Sequence, residues 1–146
     1  MNSVCGGPRL MLYNIQAKIS LDIDYVRETT NRALPLCVKE AASGSPLGGL
    51  QEVEVSIVSD PDISEVHGRF LDDATATDVI TFDHGEIIVS ADMAEDRASG
   101  FGHPTERELV LYIIHGLLHL AGYNDKSDGE SEEMSSLQEK IWKNSC

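Results

Sequence analysis

The sequence predicts an α+β fold: a single domain over residues 1–146 in which a small mixed sheet packs against helices around one buried central helix. Three observations carry this. Glu52 to Val58 alternates, with Val53, Val55 and Ile57 on one face, as a half-buried strand does. Stretches of helical spacing are interleaved with such strands. The run from Leu109 to Leu120 is apolar on nearly every side, which marks a helix enclosed by protein.

Residues 1–9 read as a loose tail, and Leu10 to Ile19 as the first strand. From Asp24 to about Ala42, the residues Val26, Thr30, Ala33, Leu34, Cys37, Val38 and Ala41 recur at helical spacing. Pro35 inside that pattern predicts a kink or a split. Ser43 to Gly49 is a turn-rich loop leading into the strand at Glu52. Asp60 as N-cap and Pro61 in the first turn open a helix to about Phe70. Asp78 to Phe82 and Glu86 to Ser90 form a hairpin over the tight turn Asp83-His84-Gly85. Ala91 to about Ser99 is a short helix that Ser90 caps and that Gly100 and Gly102 end. Thr105-Glu106-Arg107-Glu108 has the form of a capping box ahead of the central helix, which Gly122 stops. A polar stretch, Asn124 to Glu130, precedes a last amphipathic helix over Ser131 to Lys143.

Composition narrows the function. A net charge of −14 argues against wrapping duplex nucleic acid with a broad basic surface, while leaving room for a local groove or a metal that grips phosphate. No apolar run approaches the ~20 residues a membrane span requires, and the first residues do not have the pattern of a secretory signal. A cytoplasmic protein with no membrane partner and reduced Cys5, Cys37 and Cys146 is the expectation. Cys37 lies in the apolar pattern and packs as a small hydrophobe.

The chemistry concentrates on the central helix. His115 and His119, four apart, share one face with Cβ atoms about 5–6 Å from each other, so both imidazoles can reach one ion. His-x-x-x-His-x-x-Gly-x-x-Asp, from His115 to Asp125, has the spacing of the extended zinc-protease signature, in which the chain turns at the glycine and returns a third ligand to the metal. Here that ligand is Asp125, and three protein ligands leave a position open, as in a catalytic zinc site. The protease pattern places its general-base Glu directly after the first His, where this chain has Gly116. Peptide hydrolysis by that route is disfavoured; the base lies elsewhere or is the substrate, as when an RNA 2′-hydroxyl attacks its own phosphate. Iron, nickel or manganese also suits two His and a carboxylate.

These residues resemble a known family, the YbeY-type rRNA maturation factors, which are single-strand-specific endoribonucleases. The family signature His-Gly-x-Leu-His-Leu-x-Gly-Tyr-Asp-His appears here as His115-Gly116-Leu117-Leu118-His119-Leu120-Ala121-Gly122-Tyr123-Asn124-Asp125. Its Thr-Asp-Val-Leu-Ser-Phe block appears as Thr77-Asp78-Val79-Ile80-Thr81-Phe82, and its Gly-Asp-Ile-x-Ile-Ser strand is echoed by Gly85-Glu86-Ile87-Ile88-Val89-Ser90. The resemblance, over about residues 50–142, implies one Zn2+ ion on His115, His119 and Asp125. It implies an endoribonuclease that matures the 3′ end of small-subunit rRNA and associates with the ribosome or small-subunit proteins in ribosome assembly.

Two residues depart from the pattern. Asp125 stands where the family has His, which removes one positive charge from the metal site and makes zinc a weaker Lewis acid. Leu71 stands where an RNA-contacting family Arg is expected, and Arg69, two residues earlier on a helix, would point about 200° away. Two other functions therefore stand beside the nuclease: a non-catalytic, ribosome-associated assembly factor with a structural metal, and a zinc hydrolase of another substrate class. Thr77 and Asp78 either line the metal cleft or cap a strand; Tyr123 either touches substrate or packs at the helix end. His84 and His103 are expected in solvent, and His67 is a weaker candidate for the cleft. The acidic run from Asp128 to Glu133 suits a helix start and needs no partner, though a basic ribosomal protein would also suit it.

Overall fold

Alternating side chains give the sheet two apolar faces, and each face acquires its own helices. The computed structural model describes residues 7–71 and 77–146. Strands β1 (Arg9–Asn14), β2 (Glu52–Val58), β3 (Val79–Phe82) and β4 (Glu86–Ser90) form one sheet in the order β1-β2-β4-β3. β1, β2 and β4 are parallel and β3 runs antiparallel to β4, which makes the sheet mixed as expected. The helices are α1 (Ile23–Lys39), α2 (Pro46–Gly49), α3 (Asp60–Leu71), α4 (Ala91–Phe101), α5 (Thr105–Leu120) and α6 (Asp128–Ser145).

Register sets up the site. Leu12, Val55, Ile87 and Thr81 form one cross-strand row. Ile87 and Val89 belong to the main core with Val53, Ile57 and the buried faces of α1, α5 and α6. Ile88 and Ile80 point to the other face, where Ile63 and Val66 of α3 cover them. Seven side chains of α5 (Leu109, Val110, Ile113, Ile114, Leu117, Leu118 and Leu120) are fully buried. At roughly 1.5–3 kcal/mol each, their burial outweighs any single cap of about 1 kcal/mol. The helix is held by packing.

The boundaries differ where local chemistry intervenes. β1 ends at Asn14 because Gln16 takes over the backbone: its amide donates to Asn14 Oδ1 and the Ile19 carbonyl, and its Oε1 accepts the Ile19 N–H. Residues 1–6 of the expected tail, with Cys5, lie outside the described residues, while Pro8 is buried and Arg9 already belongs to β1. α1 is not split: it runs unbroken past Pro35, whose ring faces solvent where the carbonyl that loses its donor can be hydrated. The Ser43–Gly49 loop carries one helical turn, α2, with Pro46 at its start.

The expected capping box at Thr105–Glu108 is absent. Pro104 holds the extended N-cap position of α5, Thr105 is already helical, and the Glu108 carboxylate is engaged with His103 at 3.2 Å. A complete capping box lies instead at Ser127–Glu130 and starts α6 three residues before the predicted Ser131. Ser90 caps α4 by accepting from the Met93 N–H, as expected, and its hydroxyl donates to Asp60. Among the described residues no helix is long and apolar enough to cross a membrane.

Candidate metal centre

The C-terminal end of α5 determines the geometry. Gly122, at φ +104°, continues the chain in the left-handed region; the Tyr123 N–H returns to the Leu118 carbonyl and the Gly122 N–H to that of His119. This pair of bonds is a Schellman ending, which satisfies the last carbonyls and sends Tyr123 to Asp125 back along the helix. The predicted ligands are thereby brought together: one ligand atom each from His115, His119 and Asp125 lies within 4.8 Å of the others.

Each imidazole is oriented by its second nitrogen. His119 Nδ1 lies 3.1 Å from the Tyr123 backbone carbonyl, which only accepts, so the proton sits on Nδ1 and the lone pair on Nε2. His115 Nδ1 faces Gln138 Oε1 of α6 at 3.0 Å, which likewise directs its Nε2 lone pair inward. The two Nε2 atoms are 3.0 Å apart, on rings crossing at 83°, and Asp125 Oδ2 is 3.5 Å from His115 Nε2. Two lone pairs and a carboxylate converging on one point repel unless a cation lies among them. Nitrogens held ~2.0–2.1 Å from a tetrahedral ion are roughly 3.3 Å apart, so the donor set fits a zinc-sized ion. Burial, and then His115, push the His119 pKa below its ordinary value, which favours the neutral ligating form.

The three side chains open onto a cleft of about 420 Å³ whose other walls are Asp78, Val79, Ile80, Thr81 and Asp83. Asp78 is both cap and wall. Its Oδ1 accepts the Val79 N–H at 2.8 Å, and its Oδ2 accepts from Arg97 Nη1 of α4 at 2.9 Å.

Gly116 has a steric reason. A Cβ there would meet Ile87 Cδ1 and Cγ2 and Thr81 Oγ1, each at 3.0 Å, because α5 crosses the Leu12–Val55–Ile87–Thr81 row at this residue. Packing thus disfavours the protease-type Glu at the position beside His115, since Ile87 and Thr81 would have to shift to admit it.

The other candidates separate. The Tyr123 side chain packs against the core and its carbonyl holds His119. His84 is exposed in its turn, stacked on Phe82 and 3.2 Å from Glu86. His103 is not solvated as expected: its side chain is 17% exposed and pairs with Glu108, because the turn after Gly102 folds it under α5. Thr77 and His67 are not among the residues that line the cleft. Arg69 faces Glu65 at 3.9 Å, and the side chain of Leu71 lies outside the described part. Cys37 and Cys146 are free thiols; burial pushes the Cys37 thiol up to about 12.

Gln138 was not anticipated. Its signal is a polar residue four after buried Met134 and three before buried Ile141, on the core-facing stripe of α6. The Tyr123 carbonyl, a backbone atom, had no signal in residue type.

The chain is similar to known proteins over most of its length. Residues 11–145 match the family model described as Endoribonuclease YbeY. The Endoribonuclease YbeY of Phocaeicola vulgatus is 38% identical over 112 residues, 70% of this chain and 79% of that protein. That of Halalkalibacterium halodurans is 32% identical over 149 residues, 88% of this chain and 94% of the other. A solution structure from Thermotoga maritima superposes with a TM-score of 0.63 at 29% identity, covering 93% of this chain and 88% of that one.

Proposed function

The chain belongs to the endoribonuclease YbeY family, and on that footing we propose that it is a zinc-dependent endoribonuclease specific for single strands. Its setting is rRNA maturation at the 3′ end of small-subunit rRNA and ribosome assembly in the cytoplasm, with the ribosome or small-subunit proteins as partners. The observation that supports this most is the convergence of the His115 and His119 Nε2 lone pairs with Asp125 at the mouth of the cleft. In this reading His115, His119 and Asp125 hold one Zn2+, which when bound supplies electrophilic assistance to a phosphodiester.

The chain's own residues do the rest. Gln138 and the Tyr123 carbonyl keep both protons on Nδ1, so neither imidazole turns its lone pair away. Gly116 offers no base, which favours attack by the RNA's own 2′-hydroxyl and accounts for a preference for RNA over DNA.

The test is cleavage of a labelled single-stranded RNA by zinc-loaded protein beside His119→Ala purified identically. The unmutated protein should cut, a chelator should stop it, and the variant should lose both zinc and activity. Equal cutting by both would assign the activity to a contaminant. One observation favours a second reading, an assembly factor with a structural metal: the cleft is lined by three carboxylates. Retention of zinc with no cleavage by the unmutated protein would select it.

A further inference from the structure

A phosphodiester entering this cleft meets Asp78, Asp83 and Asp125, and no Lys or Arg is among the described residues that line it. One divalent ion does not offset three carboxylates and the anionic strand as well, so binding RNA here requires a cation close by. This argument rests on the endoribonuclease reading above. Among the described residues, Arg97 on α4 is a cation bound directly to the cleft wall: its Nη1 donates to Asp78 Oδ2 at 2.9 Å.

The setting of Arg97 differs from that of an ordinary surface pair. Its guanidinium lies 5.6 Å over the centroid of the Tyr112 ring, and Tyr112 is 4% exposed and immobile on α5. Tyr112 is three residues before His115 on α5, and Asp78, the other partner of Arg97, lines the same cleft as His115, so the guanidinium is tied to the cleft through both partners. Asp78 is itself anchored by the Val79 N–H. The guanidinium is therefore fixed in orientation, yet 47% of the side chain remains open to solvent. A guanidinium carries five N–H donors, and a forked pair of them matches two phosphate oxygens.

We propose that Arg97 is a substrate-binding residue: held at the cleft wall by Asp78 and Tyr112, it takes the phosphate that flanks the one beside His115 and His119. Asp78 then has two opposed effects. It orients Arg97, and it withholds part of its charge from the strand. A purely structural ion pair would behave otherwise, since loss of either partner would do the same damage.

The experiment measures binding of a labelled 2′-O-methyl single-stranded oligoribonucleotide to zinc-loaded protein at several salt concentrations. Zinc content and Tm are recorded for each variant. Arg97→Gln should weaken binding about tenfold and lower the slope of log K against log salt by about one. Asp78→Asn keeps an oxygen for the Val79 N–H but removes the carboxylate, and should tighten binding by about threefold. Arg97→Lys should keep the salt slope and lose about threefold in affinity, because the charge stays and the fork is lost. It decides the matter should Arg97→Gln lower Tm.

Equal weakening by Arg97→Gln and Asp78→Asn would overturn the proposal in favour of a structural strut. Wild-type affinity and slope in Arg97→Gln would overturn it outright. An unmutated protein that neither binds the oligonucleotide nor cuts RNA would instead remove the nuclease reading, and this inference with it.

Discussion

The two ends of α5 both carry histidine beside a carboxylate, and they are opposite kinds of site. At the N-terminal end His103 and Glu108 face each other at 3.2 Å with side chains 17% and 10% exposed, and Arg107 lies 4.3 Å over the Trp142 ring. Acid meets base in the His103–Glu108 pair, which is satisfied without a ligand, while Arg107 Nε and Trp142 Nε1 beside it are buried with no hydrogen-bond partner among the described residues. At the C-terminal end two imidazoles turn lone pairs toward each other and a carboxylate, in half-exposed positions. That cluster is complementary only to a cation. Residue type does not distinguish the two ends; the direction of the protons does.

The contrast depends on Gln138, because without it His115 is free to rotate its lone pair away. Gln138→Leu keeps the apolar contacts of α6 but removes the acceptor for His115 Nδ1. Zinc affinity should fall about 10–100-fold, read by competition with a chelating dye, with little change in the Tm of the metal-free protein. Wild-type affinity in this variant would show that the helix backbone alone orients His115, and the distinction between the ends would lose its basis.

The closed end should respond in stability alone. Glu108→Gln leaves His103 facing a neutral amide in a mostly buried place, and should lower unfolding free energy by about 1–2 kcal/mol in urea titration. Zinc content and RNA cleavage should match the unmutated protein. Loss of zinc on this substitution would mean the two ends are coupled through α5, against the independence argued here.

Much of this was legible in the sequence, for identifiable reasons. The strands at Glu52–Val58 and Glu86–Ser90 were found at their observed limits because alternation and bounding turn residues agree there. The convergence of His115, His119 and Asp125 was legible because i,i+4 spacing and a glycine ending are local geometry, which sequence reports directly. Asp78 was recognised as a choice between cap and cleft wall; the structure makes it both, since its two oxygens face different partners. What stayed hidden depends on distant partners. The burial of His103 requires Glu108 from the next helix, the role of Gln138 requires α6 folding back on α5, and the steric reason for Gly116 requires Ile87 and Thr81. β1 was overextended because Gln16 satisfies the backbone locally, which periodicity does not register.

The smallest effect tests the same contrast through the two strings that both spell a capping box. Thr105-x-x-Glu108 lies at the closed end and is not used, its Glu diverted to His103. Ser127-x-x-Glu130 follows the Asp125 loop and is used: the Ser127 Oγ accepts the Glu130 N–H, and Glu130 Oε1 accepts the Ser127 N–H. Ser127→Ala should therefore cost about 1 kcal/mol of stability, and because that cap fixes where α6 begins, it should also weaken zinc binding slightly through Asp125. Thr105→Ala should change stability by no more than a few tenths of a kcal/mol, since it removes no cap and alanine is the better helix residue. Chemical-denaturation midpoints measured side by side decide it. A cost at Thr105 equal to that at Ser127 would restore the capping box at α5 and require Glu108 to be shared, so that the closed end would no longer be complete in the histidine pair alone.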